Sequence, residues 1–122
     1  ALQVVYNRLD RRPEQLYFPH AQRDELGILA RVPLASGLLS GKYQAGVSFP
    51  ANDWRSSFEA AKLKQDLAEV ERIGQSELPA GVPMAQWALA WCLKNPLVSA
   101  VIPGCKDPAQ VAANAAAAEM TL

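Results

Sequence analysis

Three short apolar runs, separated by helix-forming sequence, most strongly constrain how this chain can fold. The runs cover residues 2–6, 28–32 and 98–102, and such continuous apolar character is typical of strands that are buried on both faces. In chain order the sequence predicts strand, helix, strand, long loop, two helices, strand and helix. This alternation favours parallel strands joined by crossover helices, so we expect an α/β fold.

The composition describes one globular domain and excludes several classes of protein. The 122 residues are 50% hydrophobic, and twelve Lys plus Arg balance twelve Asp plus Glu. A disordered chain would have fewer apolar residues and more net charge, and a nucleic-acid binder would need a basic surface field. No apolar run approaches the roughly eighteen residues of a membrane span. We therefore expect residues 1–122 to form a single unit that binds neither nucleic acid nor membrane.

Cysteine and histidine usage predicts no metal site. Cys92 and Cys105 lack metal-binding spacing, and His20 is the only histidine. Two cysteines without a disulfide framework favour a reducing, cytoplasmic setting in which both thiols are structural. Because the chain begins inside a strand-like run with neither Met nor a signal peptide, we expect it to be part of a longer polypeptide.

Proline and glycine predict where the first helix begins and breaks. Pro13 suits a first helical turn, and Pro19 interrupts the helix because proline has no N–H to donate. The sequence predicts a second helical piece over residues 19–26, with Gly27 as its C-cap.

Between the second and third strands lies a long loop, 33–57, followed by two helices. Ser56 and Glu59 have the spacing of a capping box for the first helix. Its buried stripe should be Leu63, Leu67, Val70 and Ile73. Residues 74–81 are predicted to connect it to an apolar helix over 83–94, whose Trp87 and Trp91 are expected in the core.

Two strand exits contain residues suited to an anion. The Gly- and Ser-rich segment 33–43 can bring backbone N–H groups close to an anion, and Lys42 adds a positive charge. The third strand leads into a helix that Asp107 caps, with Gln110 completing a capping box, and a helix N-terminus attracts anions. Two adjacent anion-binding exits predict a ligand with several phosphates.

Simpler interpretations of these residues also stand. Gly37 and Gly41 would serve turn geometry alone, Lys42 would be a solvated lysine, and Gln110 would only cap its helix. Asp53, Trp54 and Arg55 would form a loop staple, whose ion pair contributes little if it is exposed.

The segment 31–43, RVPLASGLLSGKY, resembles the (Y/W)SPLxxGxLTGKY motif of aldo-keto reductases. Residues 2–9 resemble the sixth barrel strand of that family, and residues 88–91 its ALAW helix. The stretch from Val101 to Asn114 is similar to its eighth strand and last helix. The resemblance covers nearly the whole chain in the correct order.

This resemblance implies an NADP(H)-dependent oxidoreductase that reduces aldehydes and ketones on a (β/α)₈ TIM barrel. The chain would supply the C-terminal part, about strands 6–8 with their helices. Gln3 would hold the nicotinamide carboxamide, and Arg31 would take the place of the aromatic residue that stacks on the nicotinamide ring. The pyrophosphate would be surrounded, mainly through backbone groups, by Val32, Pro33, Leu34, Ala35, Ser36 and Gly37, together with Lys42.

The last strand and helix would bind the adenosine half. By resemblance, Gly104, Lys106 and Gln110 would lie near the ribose and its 2′-phosphate, and Asn114 near the adenine. One departure falls here, because Ala113 replaces the usual Glu and removes an acceptor for the adenine amine.

Two further departures lie at the second strand exit. Arg31 replaces the usual Tyr or Trp, and a guanidinium there disfavours the cationic oxidised nicotinamide relative to the neutral reduced ring. Val32 replaces the usual Ser and removes a hydroxyl hydrogen bond.

The resemblance assigns no catalytic residue to this chain. The family's catalytic Asp, Tyr, Lys and His belong to the first four strands, and a barrel of this type needs about 250 residues. We expect this polypeptide alone to be inactive, and the full-length protein to act on a small-molecule carbonyl substrate. Two alternatives are a non-catalytic NADPH-binding sensor or regulatory subunit, and a half-barrel that is stable only as an oligomer because its strand edges are exposed.

Overall fold

Three parallel strands form one sheet, in the spatial order β1–β2–β3, in the computed structural model, which describes residues 1–122. The strands are β1 (Leu2–Val5), β2 (Ile28–Arg31) and β3 (Val98–Ile102). At the carboxyl end of the sheet, Val5, Arg31 and Ile102 share one register level. The predicted α/β fold with parallel strands is confirmed, and the outer edges of β1 and β3 have no partner within the chain.

Five helices and three short 3₁₀ turns connect and follow the strands in the predicted order. The helices are α1 (Pro13–Leu16), α2 (Phe18–Arg23), α3 (Ala60–Ser76), α4 (Met84–Lys94) and α5 (Pro108–Ala116). The 3₁₀ turns cover Leu38–Ser40, Trp54–Ser57 and Ala117–Glu119. None of the helices combines the length and the hydropathy that a membrane span requires.

Two apolar clusters bury one side of the sheet and the long loop after β2. The first cluster joins α2, α4 and the sheet through Tyr6, Phe18, Ala21, Ile28, Ala30, Cys92 and Val98. The second joins the loop, α3 and α4 through Leu38, Leu39, Leu67, Val70, Ile73, Trp87 and Ala88. Trp87 is buried as predicted, whereas Trp91 is only partly buried and packs against the first cluster. The long loop is thereby fixed to the body of the molecule.

The opposite face of the sheet is largely open. Ile28 and Ala30 of β2 are fully buried, while Arg31 is exposed, as the alternation of side chains along a strand requires. Gln3 of β1 and Ile102 of β3 are also exposed. The side chains that the sheet presents at its carboxyl end are therefore accessible.

The end of α2 differs from the prediction. The helix ends at Arg23, and Glu25, not Gly27, takes the left-handed conformation, with φ of 54°. The amide of Leu26 donates to the carbonyl of Ala21 at 2.8 Å, which completes a Schellman cap. Gly27 serves close packing instead, because a Cβ there would lie 3.2 Å from Ser99 Oγ on β3.

Both ends of α3 also differ from the prediction. Its N-cap is Glu59, which makes no side-chain cap bond, and Ser56 belongs to a preceding 3₁₀ turn, so the predicted capping box is wrong. Phe58 stays outside the helix, where its ring packs 5.1 Å from that of Trp54. At the other end the helix continues through Gly74 to Ser76, where the sequence predicts a connector, and Ile73 in this turn is fully buried in the second cluster.

Candidate functional site

The two strand exits that the sequence predicts to bind an anion lie side by side at the carboxyl end of the sheet. Arg31, the last residue of β2, pairs in parallel register with Ile102, the last residue of β3. The loops that begin at Val32 and Pro103 therefore leave neighbouring strands at the same level. In open parallel α/β sheets, ligands bind in the crevice outside the carboxyl ends of the strands. The structure thus brings the two predicted loops together at the edge where a ligand is expected.

The loop after β2 contains a run of left-handed backbone conformations. Val32, Ala35 and Ser36 have φ of 54°, 51° and 58°, and Gly37 follows with φ of 90°. Left-handed backbone is uncommon outside glycine and is an outlier for a β-branched residue such as Val32. Strain of this kind costs roughly 1–3 kcal/mol per residue and persists only where surrounding contacts impose it. The loop is therefore held in a specific, unfavourable shape.

This shape leaves main-chain donors free. The amides of Val32, Leu34 and Ser36 make no hydrogen bond within the chain. The loop is held through a carbonyl group of this segment, since Leu34 O accepts from Gly37 N at 3.1 Å and from Leu39 N at 2.9 Å. Successive backbone N–H groups in such turns form anion-binding concavities. Pro33 is buried, so its ring packs inside the loop and is not available to a ligand.

Asn7, just after β1, links the first two strand exits. Its side chain is 2% exposed. Its Oδ1 accepts from the amides of Leu9 and Asp10, both at 2.8 Å, and its Nδ2 donates to Val32 O at 3.0 Å. The sequence does not reveal this role of Asn7, because no local spacing signals a contact between residues that are 25 positions apart.

Arg55 holds the same loop from the other side. Its Nη1 donates to Ser36 O at 3.1 Å and to the Tyr43 hydroxyl at 3.0 Å, and its Nη2 pairs with Asp53 Oδ2 at 2.7 Å. The guanidinium carbon lies 4.3 Å from the centroid of the Phe49 ring, a cation–π contact. The predicted loop staple is present, but its Arg and Asp side chains are only 18% and 22% exposed, so the pair is better shielded than a surface ion pair.

The contact between Asp53 and Arg55 also shifts the pKa values of both side chains. Hydrogen bonds from the Arg55 side chain and amide lower the pKa of Asp53 to about 2, and the Asp53 carboxylate raises the pKa of Arg55. Asp53 is thus ionised at any ordinary pH, and the fork that places Arg55 against Ser36 O is permanently charged.

The exit after β3 gathers the residues expected near adenosine. Asp107 Oδ1 accepts from Gln110 N at 2.8 Å, which confirms the predicted helix cap. Gln110 Oε1 accepts from Lys106 N at 2.7 Å, one residue before the position that a capping box requires, so that part of the prediction is wrong. Asn114 Nδ2 lies 3.4 Å from Gly104 O. The four residues Gly104, Lys106, Gln110 and Asn114 therefore surround one turn.

Free donors are present at this second exit too. The amides of Gly104, Cys105 and Asp107 make no hydrogen bond within the chain, and α5 begins directly after them. Cys105 is exposed, which contradicts the expectation that both thiols are structural, whereas Cys92 is buried. Burial raises the pKa of the Cys92 thiol to about 12.

Most of the Lys and Arg side chains without an ion pair belong to the predicted site. Seven of the twelve Lys and Arg side chains form ion pairs with carboxylates. The five that form none are Arg31, Lys42, Lys64, Lys94 and Lys106. Three of these five belong to the predicted site. Their charge is available to an external anion.

Two predicted residues stand slightly apart from the loops. Gln3 lies on β1 at the register level of Leu29, two residues before Arg31, and like Arg31 it is exposed on the open face of the sheet. Lys42 follows the 3₁₀ turn, and its neighbour Gly41 packs against Met84 at the start of α4.

A cleft of about 310 Å³ borders the loop on its Asn7 side and reaches the first turns of α3. Nowhere in the chain do three or more His, Cys, Asp or Glu side chains lie close enough together to bind a metal ion.

Comparison with known proteins identifies the class. The sequence model of the Aldo/keto reductase family matches residues 1–122. The chain therefore belongs to the aldo-keto reductase family, as its resemblance implied.

Individual relatives agree with this assignment. A "Probable voltage-gated potassium channel subunit beta" of Oryza sativa subsp. japonica is 32% identical over 118 residues, and one of Arabidopsis thaliana is 31% identical over 124 residues. These matches cover 92% and 97% of this chain but only 36% and 38% of the relatives.

Solved structures share the fold. A glycerol dehydrogenase from Gluconobacter oxydans matches with a TM-score of 0.78 and 28% identity over 91% of this chain. The holo form of an aldo-keto reductase from Bacillus halodurans matches with a TM-score of 0.67 and 30% identity over 98% of this chain. The chain covers 35% and 36% of those two chains, so its sheet and helices are similar to part of an aldo-keto reductase barrel.

Proposed function

We propose that this chain carries the pyrophosphate- and adenosine-binding part of the NADP(H) site of an aldo-keto reductase acting on aldehydes and ketones. One observation carries the proposal. Two neighbouring strand exits each present unpartnered main-chain amides, and Arg31 and Lys106 at these exits, like Lys42 further along the first loop, have no ion-pair partner. A dinucleotide with a 2′-phosphate is an anion large enough to engage both exits. The residues present therefore fit this cofactor.

The two exits would take different parts of the cofactor. The free amides of Val32, Leu34 and Ser36, with Lys42, would bind the pyrophosphate. At the second exit, the Lys106 ammonium would face the 2′-phosphate. The Gln110 carbonyl oxygen is already held by Lys106 N, which leaves the Gln110 NH₂ group to donate to a phosphate or ribose oxygen.

The chemistry of reduction belongs to the cofactor, since bound NADPH supplies a hydride to the carbonyl carbon. The residues of this chain would bind and orient it, with Gln3 and Arg31 on the open face near the nicotinamide. No residue of this chain is proposed as the proton donor. The 122-residue polypeptide alone should therefore show no NADPH-dependent turnover of a generic aldehyde, and measurable turnover would contradict this proposal.

Fluorescence titration with NADPH tests the binding role. Lys42→Ala should weaken binding by roughly 1–3 kcal/mol, the cost of losing a hydrogen bond to a charged group. Lys64→Ala is the matched control, because Lys64 is also an exposed lysine without an ion pair but lies on α3. It should leave the dissociation constant unchanged. An unchanged affinity for Lys42→Ala would remove this lysine from the site.

A second candidate function is non-catalytic: an NADPH-binding sensor or regulatory subunit. The names of the two curated relatives, both potassium channel beta subunits, favour it. A polypeptide that contains this chain and a complete barrel separates the two functions. NADPH binding without reduction of any aldehyde or ketone would support the regulatory role, whereas turnover would support the enzyme.

The sheet edges also favour self-association. The outer edges of β1 and β3 are unpaired, and Ile102 on β3 is 44% exposed. Such edges favour a chain that is stable only as a homo-oligomer or with a complementing half-barrel. Size-exclusion chromatography with light scattering tests this, and a monodisperse monomer that melts cooperatively would contradict it.

Both cysteines are free, which supports a cytoplasmic location.

A further inference from the structure

Asn7 is the only polar or charged residue that is buried in this fold. It lies outside the set of residues to which the cofactor is assigned above. Its two polar atoms serve two different strand exits, because Oδ1 accepts two amides of the turn after β1 and Nδ2 donates to Val32 O after β2. All three hydrogen bonds are 2.8–3.0 Å long.

The residue that Asn7 holds is the most strained residue of the candidate site. Val32 is β-branched and has φ of 54°, and its carbonyl also accepts from Ala35 N at 3.1 Å. A side chain at this φ crowds the backbone, so the unconstrained loop would relax towards extended or helical values. Two donors on one carbonyl, one of them from a buried side chain, oppose that relaxation.

We propose that Asn7 is a positioning residue for the cofactor: by fixing Val32 O, it keeps the loop Val32–Ser36 in the shape that leaves its amides free for phosphate. This inference rests on the function proposed above. Relaxation of Val32 would reorient the amides of Leu34 and Ser36, since both follow it within one turn. The loop would then lose affinity for phosphate although no residue of the loop had been changed.

The chemistry at position 7 is specific to an amide. One end must accept from two N–H groups and the other must donate to a carbonyl, which asparagine does in one short side chain. Asn7→Asp keeps both contacts to the turn after β1 but places a carboxylate oxygen against Val32 O. Asn7→Ala removes all three hydrogen bonds. Both variants release Val32, by different routes.

A double-mutant cycle with Val32→Gly tests the positioning role, with the NADPH dissociation constant as the readout. Either substitution at Asn7 should weaken binding about tenfold, equivalent to the loss of one well-formed hydrogen bond. Val32→Gly is the second background of the cycle, because glycine adopts the left-handed conformation freely and no longer needs Asn7 to hold it there. In the Val32→Gly background, Asn7→Ala should weaken binding less than about threefold. A purely structural role for Asn7 would give the same loss in both backgrounds, and that result would overturn the inference.

Asn95→Ala is the matched control for stability. Asn95 also accepts a backbone amide, from Leu97 at 3.0 Å, but it lies in the turn after α4. It should lower the melting temperature without changing the NADPH dissociation constant. If Asn7→Ala does not fold, Asn7→Asp measured at pH 8 decides, and normal affinity in that folded variant would overturn the inference. If the unsubstituted protein binds no NADPH at all, the proposed function itself fails.

Discussion

Replacing Arg55 offers the sharpest test of how the loop after β2 is held. Its Nη1 makes two hydrogen bonds that no other side chain supplies, to Ser36 O at 3.1 Å and to the Tyr43 hydroxyl at 3.0 Å. Hydrogen bonds from charged donors contribute about 1.5–3 kcal/mol each, and cation–π contacts such as that with Phe49 about 0.5–2 kcal/mol. These contributions are not additive, and Asp53 can regain water when its partner is removed. Arg55→Met should therefore lower the free energy of unfolding by about 2–3 kcal/mol.

Urea unfolding, followed by tryptophan fluorescence, measures this loss. For a chain of this size the urea dependence is about 1–2 kcal/mol per molar, so the midpoint should fall by about 1–3 M. Arg55→Lys should recover little of the stability, because an ammonium cannot reproduce the guanidinium fork. Arg72→Met is the control, since Arg72 is half-exposed and its ion pairs with Glu69 and Glu77 are weak surface contacts. Equal midpoints for Arg55→Met and Arg72→Met would refute this account of the loop.

Three further predictions concern charge and thiol chemistry. In Arg31→Gln, the dissociation constant for NADP⁺ divided by that for NADPH should fall about fivefold, because a guanidinium near the nicotinamide disfavours the cationic ring. Isothermal titration calorimetry measures both constants, and an unchanged ratio would remove Arg31 from the nicotinamide site. Ellman titration of the native protein should detect Cys105 but not Cys92, whose pKa is raised to about 12 by burial; two fast-reacting thiols before denaturation would contradict the packing. Arg55 lowers the pKa of Asp53 to about 2, so the stability that the Asp53 carboxylate contributes should be complete above about pH 4 and be lost as the pH falls towards 2. The free energy of unfolding of wild type should therefore approach that of Asp53→Asn over this range. A difference between the two proteins that does not change with pH would contradict the pairing.

The sequence predicts an element of the fold correctly where residues close together in the chain determine where that element begins and ends. The third strand matches its prediction at both ends, and Asp107 caps α5 as expected. Predictions failed where tertiary contacts override a local rule. Gly27 is a favourable C-cap residue, yet it packs closely against Ser99 of β3, and α2 ends earlier, with Glu25 in the left-handed conformation.

The candidate site was predictable in composition but not in its supporting contacts. Gly, Ser and Lys at two strand exits are visible in the sequence, and the sheet register places those exits together. The left-handed conformations of Val32 and Ser36 are not visible, because sequence rules assign that conformation to glycine. Asn7 and Arg55, which impose it, act over 25 and 19 residues of separation, where periodicity carries no information.

Backbone NMR during titration with NADPH tests most directly whether both strand exits bind a single dinucleotide. If one cofactor occupies both exits, the amide resonances of Leu34, Ser36, Gly104 and Cys105 should shift together, with one shared dissociation constant, because all four amides lack internal partners. The amide resonances of α3, such as that of Gln65, should not shift. Shifts confined to one exit, or two different dissociation constants at the two exits, would contradict a common cofactor.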